Sequence, residues 1–274
     1  MTGPSDPLGG DPLAGDPLAG DPAARKPRAR NPATRNPAAG DPAVPATGWR
    51  RVALAWWYAF ARGLVEVVCR TYWRAEIVGR EHVPTSGAYV LAPVHRSNID
   101  TLLAGCVTRR RLRFMGKDSL WKYPAVGKAF TSLGGFPVHR GTPDREALRI
   151  CEAALRAGEP VVLFPEGTRQ SGPVVQPLFE GAVFVAGRAG VPILPVGFGG
   201  SEWAMTKGSR KLHPVKVAIT IGAPIEIPRT EGGRVSRRQV AETTDGLHAE
   251  LQRLFSDALA RAGRPVPRSP TADR

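Results

Sequence analysis

The chain has 274 residues, and 38 Lys plus Arg against 24 Asp plus Glu leave a formal charge of +14, with 42% hydrophobic residues, 31 Gly and 27 Pro. That length suits one ordinary domain with appendages, and the composition excludes neither catalysis nor binding. It does speak against a disulfide scaffold or a zinc knuckle: Cys69, Cys106 and Cys151 lie far apart, with no Cys-x-x-Cys pair and no nearby His at metal-ligand spacing, as expected of a reducing compartment.

The first 45 residues are of low complexity. Proline recurs at Pro7, Pro12, Pro17, Pro22, Pro27, Pro32, Pro37 and Pro42, a five-residue period. With no aromatic residue and little apolar bulk, residues 1–45 are predicted to be disordered. Arg25, Lys26, Arg28, Arg30 and Arg35 balance Asp6, Asp11, Asp16, Asp21 and Asp41, so the whole positive excess belongs to residues 46–274. The start also lacks the basic and apolar stretches of a signal peptide, and export by that route is not expected.

Residues 51–68 are apolar but interrupted by Arg62 and Glu66. They fall short of the roughly 20 predominantly apolar residues that a spanning helix needs. Trp49, Trp56, Trp57, Tyr58, Tyr72 and Trp73 stand beside Arg50, Arg51, Arg62, Arg70 and Arg74. That pattern predicts a helix over about 50–73 lying in the headgroup region of a membrane, with a buried core helix as the competing reading.

β-prone runs follow at 74–78 and 88–93. Ser97 or Asn98 is placed to cap a helix carrying Ile99, Leu102, Leu103, Cys106 and Val107, and 111–115 reads as a further strand. Thr142, Pro143 and Asp144 open a helix running to residue 158. Residues 160–164, 191–198 and 215–221 read as strands, 180–189 and 237–260 as helices, and 261–274 as a frayed basic tail. Strands alternating with helices predict an α/β fold, a mixed, largely parallel sheet covered by helices on both faces, over residues 46–260.

Among the five histidines, His95 and His139 each have an Asp five residues later, Asp100 and Asp144. A His before a helix can meet an Asp in its first turn, which fixes the tautomer and steadies the imidazolium. Asp144 follows Pro143 as an ordinary helix-start acid. His95 instead follows the apolar run Tyr89-Val-Leu-Ala-Pro93, and ligand sites in open α/β sheets favour the carboxyl ends of strands.

A second string, Phe164-Pro-Glu-Gly-Thr-Arg169, follows the apolar Val161-Val-Leu-Phe164. Such a loop can hold a phosphate: Gly167 lets backbone amides approach, Thr168 donates and Arg169 offers a bidentate fork. Glu166 would hold that guanidinium or contact a ligand hydroxyl. A plain turn with a local Glu to Arg pair is the alternative.

Four strings in order carry a resemblance: His95-Arg-Ser-Asn-Ile-Asp100, Gly134-Gly-Phe-Pro-Val-His-Arg140, Phe164-Pro-Glu-Gly-Thr-Arg169 and Val191-Pro-Ile-Leu-Pro195. Through them, over about residues 50–260, the chain resembles the glycerolipid acyltransferase family, which contains the 1-acylglycerol-3-phosphate acyltransferases. The resemblance implies that His95 is the general base and Asp100 its orienting carboxylate. It implies that Arg140 and Arg169 bind the acceptor phosphate with help from Lys117, that Glu166, Gly167 and Thr168 belong to the same substrate-binding motif, and that the fourth motif lies on the acyl-donor side.

The implied reaction acylates a lysophospholipid acceptor, most directly lysophosphatidic acid to phosphatidic acid. Acyl-CoA or acyl carrier protein is the donor substrate, and no cofactor or metal is required. Amides near Ser97 and Asn98 are the expected oxyanion donors. No Gly-x-Ser-x-Gly elbow is present, which suits direct transfer without a covalent enzyme intermediate. The loop after the third motif departs from the family pattern: Glu180 stands before Gly181 where many relatives carry basic residues, which bears on headgroup preference.

Basic residues concentrate at 109–113, 207–216 and 237–238, which implies an anionic partner. The aromatics sit in the amino-terminal helix rather than among these basic residues, so an anionic membrane surface is expected and nucleic acid is not. The expected location is the cytoplasmic face of a membrane, as a peripheral or monotopic protein. Another lysophospholipid, glycerol 3-phosphate or a glycolipid are alternative acceptors. Outside enzymes, a membrane-binding or remodelling protein is the competing class, against which the intact His95 and Asp100 argue.

Overall fold

The computed structural model describes residues 48–138, 145–209, 211–228 and 235–266. The repeat segment 1–45, residues 139–144 with Arg140 and the predicted helix start, and residues 267–274 lie outside them. The elements run α1 (Gly48–Thr71), β1 (Glu76–Val78), β2 (Val90–Pro93), α2 (Asp100–Val107), β3 (Arg113–Lys117), α3 (Pro124–Ser132) and β4 (Gly135–Val138). They continue through α4 (Arg145–Arg156), β5 (Val161–Val162), α5 (Gly181–Ala189), β6 (Ile193–Gly199), the single turn α6 (Ser201–Ala204), β7 (Ala218–Ile221) and α7 (Arg237–Arg261).

One sheet of seven strands has the order β1-β7-β6-β2-β5-β3-β4. Strands β6, β2, β5, β3 and β4 are mutually parallel, β7 is antiparallel to β6, and β1 is parallel to β7. The sheet is therefore mixed and largely parallel. Every residue of β2 and β6 is buried, which is why these segments read as unbroken apolar runs.

Chain direction across the sheet fixes the layers. The path from β2 to β3 to β4 moves one way, and the path from β4 to β5 to β6 moves back, so right-handed crossovers put α2 and α3 on one face and α4 and α5 on the other. The packing agrees: α1 lies on α2, whereas α5 packs between α4 and α7, and α7 covers β6 and β7. Helix α7 starts at a capping box in which Ser236 and Gln239 satisfy each other's backbone amides. Its backbone then approaches β6 at Gly197 and Gly199, where any Cβ would run into the carbonyls of Leu254 and Ala258.

Three expectations are corrected. Helix α2 begins at Asp100 with Ile99 at the capping position and no side-chain cap. The Ser97 hydroxyl instead donates to the Met205 carbonyl (2.7 Å), tying two loops at the carboxyl edge of the sheet. Strand β5 is only two residues long, because Pro165 turns the chain out of the sheet soon after it. Helix α1 does not fall short: Val52–Thr71 is long and apolar enough to cross a membrane by length and composition. Elements α3 and β4 went unread, since α3 buries only Gly127 and so shows no core-facing periodicity.

The amphipathicity of α1 is inverted for a helix in water. Trp56, Phe60, Leu64 and Val67 are exposed, while Tyr58, Arg62, Glu66 and Cys69 turn toward the body. Glu66 accepts from Arg62 (2.6 Å), Arg70 (2.9 Å) and Arg80 (3.1 Å), and Arg80 also reaches the Cys106 carbonyl. Trp57 Nε1 donates to Ser132 Oγ (3.1 Å), Tyr58 donates to the Arg110 carbonyl (3.1 Å), and Trp73 Nε1 donates to the His213 carbonyl (3.2 Å). The helix is thus laid along one face of the domain with its apolar side outward. Only 6% of the Val52–Thr71 window is buried, so the core-helix reading fails.

Candidate active site

Strand β2 delivers His95. Beyond Pro93 the Val94 amide still donates to Val196 of β6 (3.1 Å), and the chain leaves the sheet at the next residue. His95 Nδ1 lies 3.0 Å from Asp100 Oδ2. That carboxylate oxygen also accepts the amides of Arg96 (2.6 Å) and Ser97 (2.7 Å), and Asp100, as first residue of α2, is fully buried in the favourable field of the helix start. A carboxylate only accepts, so Nδ1 carries the hydrogen and the neutral ring presents the lone pair of Nε2. Nε2 has no hydrogen-bond partner among the described residues. Phe164 stacks on the imidazole at 4.0 Å between centroids and 23° between planes, which fixes the ring's remaining freedom.

The peptide groups of His95 are held as firmly as its ring. Its N–H donates to Glu166 Oε2 (2.9 Å), and its carbonyl accepts from the Gln170 amide (2.8 Å) and from Arg96 Nη1 (3.0 Å). Arg96 and Glu166 form a buried ion pair (2.7 Å). The guanidinium extends to the carbonyls of Gly172 (3.2 Å) and Val174 (3.1 Å) and lies over the Phe255 ring at 4.6 Å, while Glu166 also accepts the Gln176 amide (3.1 Å). One ion pair therefore joins the β2 loop, the β5 loop, the 172–176 segment and α7.

The sheet order lines up the remaining groups. At the carboxyl edge, β2 is followed by His95, β5 by the 164–169 loop, and β3 ends at Lys117, in adjacent positions along β2-β5-β3. Lys117 is exposed and Arg169 half-buried, and neither has an ion-pair partner among the described residues. Arg140 lies outside the described residues, two positions beyond the end of β4. A base with cations at the carboxyl ends of the neighbouring parallel strands, unpaired among the described residues, suits a hydroxyl acceptor bearing an anionic group.

Comparison with known proteins bears on the same residues. The acyltransferase family model matches residues 74–199, a span that contains His95, Asp100, Lys117 and the 164–169 loop. The chain is 25% identical over 199 residues to the 1-acyl-sn-glycerol-3-phosphate acyltransferase of Bacillus subtilis, covering 72% of this chain and 96% of that protein. It is 30% identical over 160 residues to a chloroplastic 1-acyl-sn-glycerol-3-phosphate acyltransferase of Brassica napus, covering 56% of this chain and 46% of that one. The crystal structure of a 1-acyl-sn-glycerophosphate acyltransferase from Thermotoga maritima shares the fold, with a TM-score of 0.57 at 23% identity over 74% of this chain and 88% of the other. Residues 74–199 thus match the acyltransferase family, and over a longer span the chain is similar to glycerolipid acyltransferases. Its activity at that level is thioester-dependent transfer of an acyl group to a glycerolipid acceptor.

In this acyltransferase three details differ from the sequence reading. Glu166 does not hold Arg169: its carboxylate is spent on Arg96 and on the amides of His95 and Gln176. Gly167 does not open amides to a ligand, since its N–H bonds the Phe164 carbonyl (3.0 Å) and that of Thr168 bonds the Glu166 carbonyl (2.8 Å). The glycine is needed for its left-handed turn, φ +70°, and because the Phe179 ring lies where a side chain would go. The Ser97 amide serves Asp100, not an oxyanion. Arg96 was missed altogether, because a charge inside a polar motif reads as solvated and its partner lies 70 residues away.

Proposed function

We propose that this acyltransferase moves an acyl chain from acyl-CoA or acyl carrier protein to the free hydroxyl of 1-acylglycerol 3-phosphate, giving phosphatidic acid at the cytoplasmic face of a membrane. The observation that carries the reading is the His95 to Asp100 contact of 3.0 Å, with the carboxylate fully buried and Nε2 left as the base. Nε2 takes the acceptor hydroxyl proton as the oxygen attacks the thioester carbonyl. The tetrahedral oxyanion then collapses, the carbon–sulfur bond breaks, and the imidazolium proton goes to the departing thiolate. Asp100 holds the tautomer and stabilises the transient imidazolium, while Arg169, Lys117 and Arg140 receive the acceptor phosphate. Glu166 acts through Arg96 as a positioning residue, and Thr168, exposed beside Arg169, offers a hydroxyl to the same phosphate.

The test is thiol release from an acyl thioester with lysophosphatidic acid as acceptor, the product identified by mass. His95→Ala is expected to lower kcat by about 10²- to 10⁴-fold, the usual worth of a positioned general base. His139→Ala is expected to keep most of the activity. Arg169→Ala is expected to act chiefly on the KM for the phosphorylated acceptor. An intact protein that is silent with every phosphorylated acceptor and either donor, yet binds anionic vesicles, would favour a membrane-binding role instead.

A further inference from the structure

Helix α3 is exposed almost all the way round, with Gly127 its sole buried residue, covered by Trp121. Tyr123 at its N-cap, Val126 and Phe130 are exposed at helical spacing, with Phe130 tilted against Trp121, so one apolar face of a nine-residue helix stays largely open among the described residues. Lys122, next to Tyr123, is exposed as well. The face is continuous with the outward side of α1, because α3 lies on the same side of the sheet and its last residue, Ser132, accepts the Trp57 Nε1 hydrogen bond. Leu102 of α2 is exposed on that side as well.

We propose that α3 is a second lipid-contacting element, and that α1 and α3 together form the face that docks on an anionic bilayer. Aromatic residues at the level of the headgroups, with a basic residue such as Lys122 beside them for the anionic lipids, suit such a surface. The consequence for the site is direct. Tyr123 lies six residues beyond Lys117 at the carboxyl edge of the sheet, so docking α3 sets the His95 edge against the lipid surface, where a lysolipid headgroup is presented. A second copy of the chain is the other occupant this surface could take, but Lys122 and the continuity with the apolar outward side of α1 favour lipid.

The test compares the intact protein with the double variant Tyr123→Ser and Phe130→Ser, using phosphatidylcholine vesicles with and without phosphatidylglycerol. Phe184→Ser, an exposed aromatic of α5 on the opposite face, is the control. The double variant is expected to lose about tenfold or more in vesicle partition, while the control keeps it. Turnover of a vesicle-borne acceptor should fall in parallel, and turnover of a short-chain, water-soluble acceptor should not. Vesicle partition equal to that of the intact protein overturns the proposal, as does conversion of a dimer to a monomer with partition unchanged. If the double variant folds poorly, Val126→Cys bearing an environment-sensitive fluorophore replaces it: a blue shift on anionic vesicles is expected, and none would refute the idea. The turnover arm rests on the acyltransferase reading, but partition and fluorescence do not, so failure of one is told apart from failure of the other.

Discussion

At the level of single residues, the active histidine is held at both peptide groups and at its ring, and the Arg96 to Glu166 pair does the peptide part. Taking two charges out of water is costly, and the pair persists because nearly every donor and acceptor on it is used. Removing one partner, as in Arg96→Met or Glu166→Leu, leaves the other charge buried and is expected to destabilise the fold by about 3–5 kcal/mol in urea unfolding. The double variant removes both charges and should recover most of that loss. It should not recover kcat, because the His95 N–H loses its acceptor and the carbonyl keeps only the Gln170 amide, whereas KM for the acceptor should change little. A double variant with full kcat would reduce the pair to a structural contact. His95 and Asp100 were legible because their spacing sits at a strand-to-helix junction. Arg96 and the true role of Glu166 were not, since both depend on which strands are neighbours.

Among the elements, the closest packing is that of α7 on β6, the strand carrying most of the fourth motif. Gly197 and Gly199 let the helix backbone sit directly on the strand. Gly199→Ala forces α7 away and is expected to lower stability by about 1–3 kcal/mol by thermal melting, in the range for overpacking a tight site. Gly246, inside α7 but facing open space, supplies the contrast. Gly246→Ala is expected to raise stability by about 0.5–1 kcal/mol, since it only reduces backbone freedom in a helix. The same difference explains what the sequence reveals of elements. Helices and strands that bury a face, such as α7 and β6, announce their period, while α3 buries one glycine and β4 is four residues long, so neither carries a pattern to read.

For the molecule as a whole, the sheet is the reference plane: α1 and α2 cover one face, α4 and α7 the other, and a thiol is buried in each layer. Cys69 and Cys106 sit at the seam between α1 and α2, and Cys151 faces the sheet from α4, all three at 0% exposure. Burial pushes the Cys151 thiol up to about 12, so near pH 8 only about one molecule in 10⁴ carries its reactive thiolate. The native protein in solution is therefore expected to leave all three thiols unlabelled by an aromatic disulfide reagent and to expose three equivalents in denaturant. The informative case is the protein on anionic vesicles. If α1 meets lipid with its outward side while Glu66 and Tyr58 stay on Arg80 and the Arg110 carbonyl, the seam remains shut and no thiol reacts. Were α1 to leave the domain and cross the bilayer, as its length alone would permit, Cys106 would lose its cover while Cys151 stayed protected. Labelling of Cys106 on vesicles, with or without Cys69 at the end of α1, would replace the laid-down helix with a spanning one. No labelling would fix α1 as part of the folded domain in the membrane-bound state.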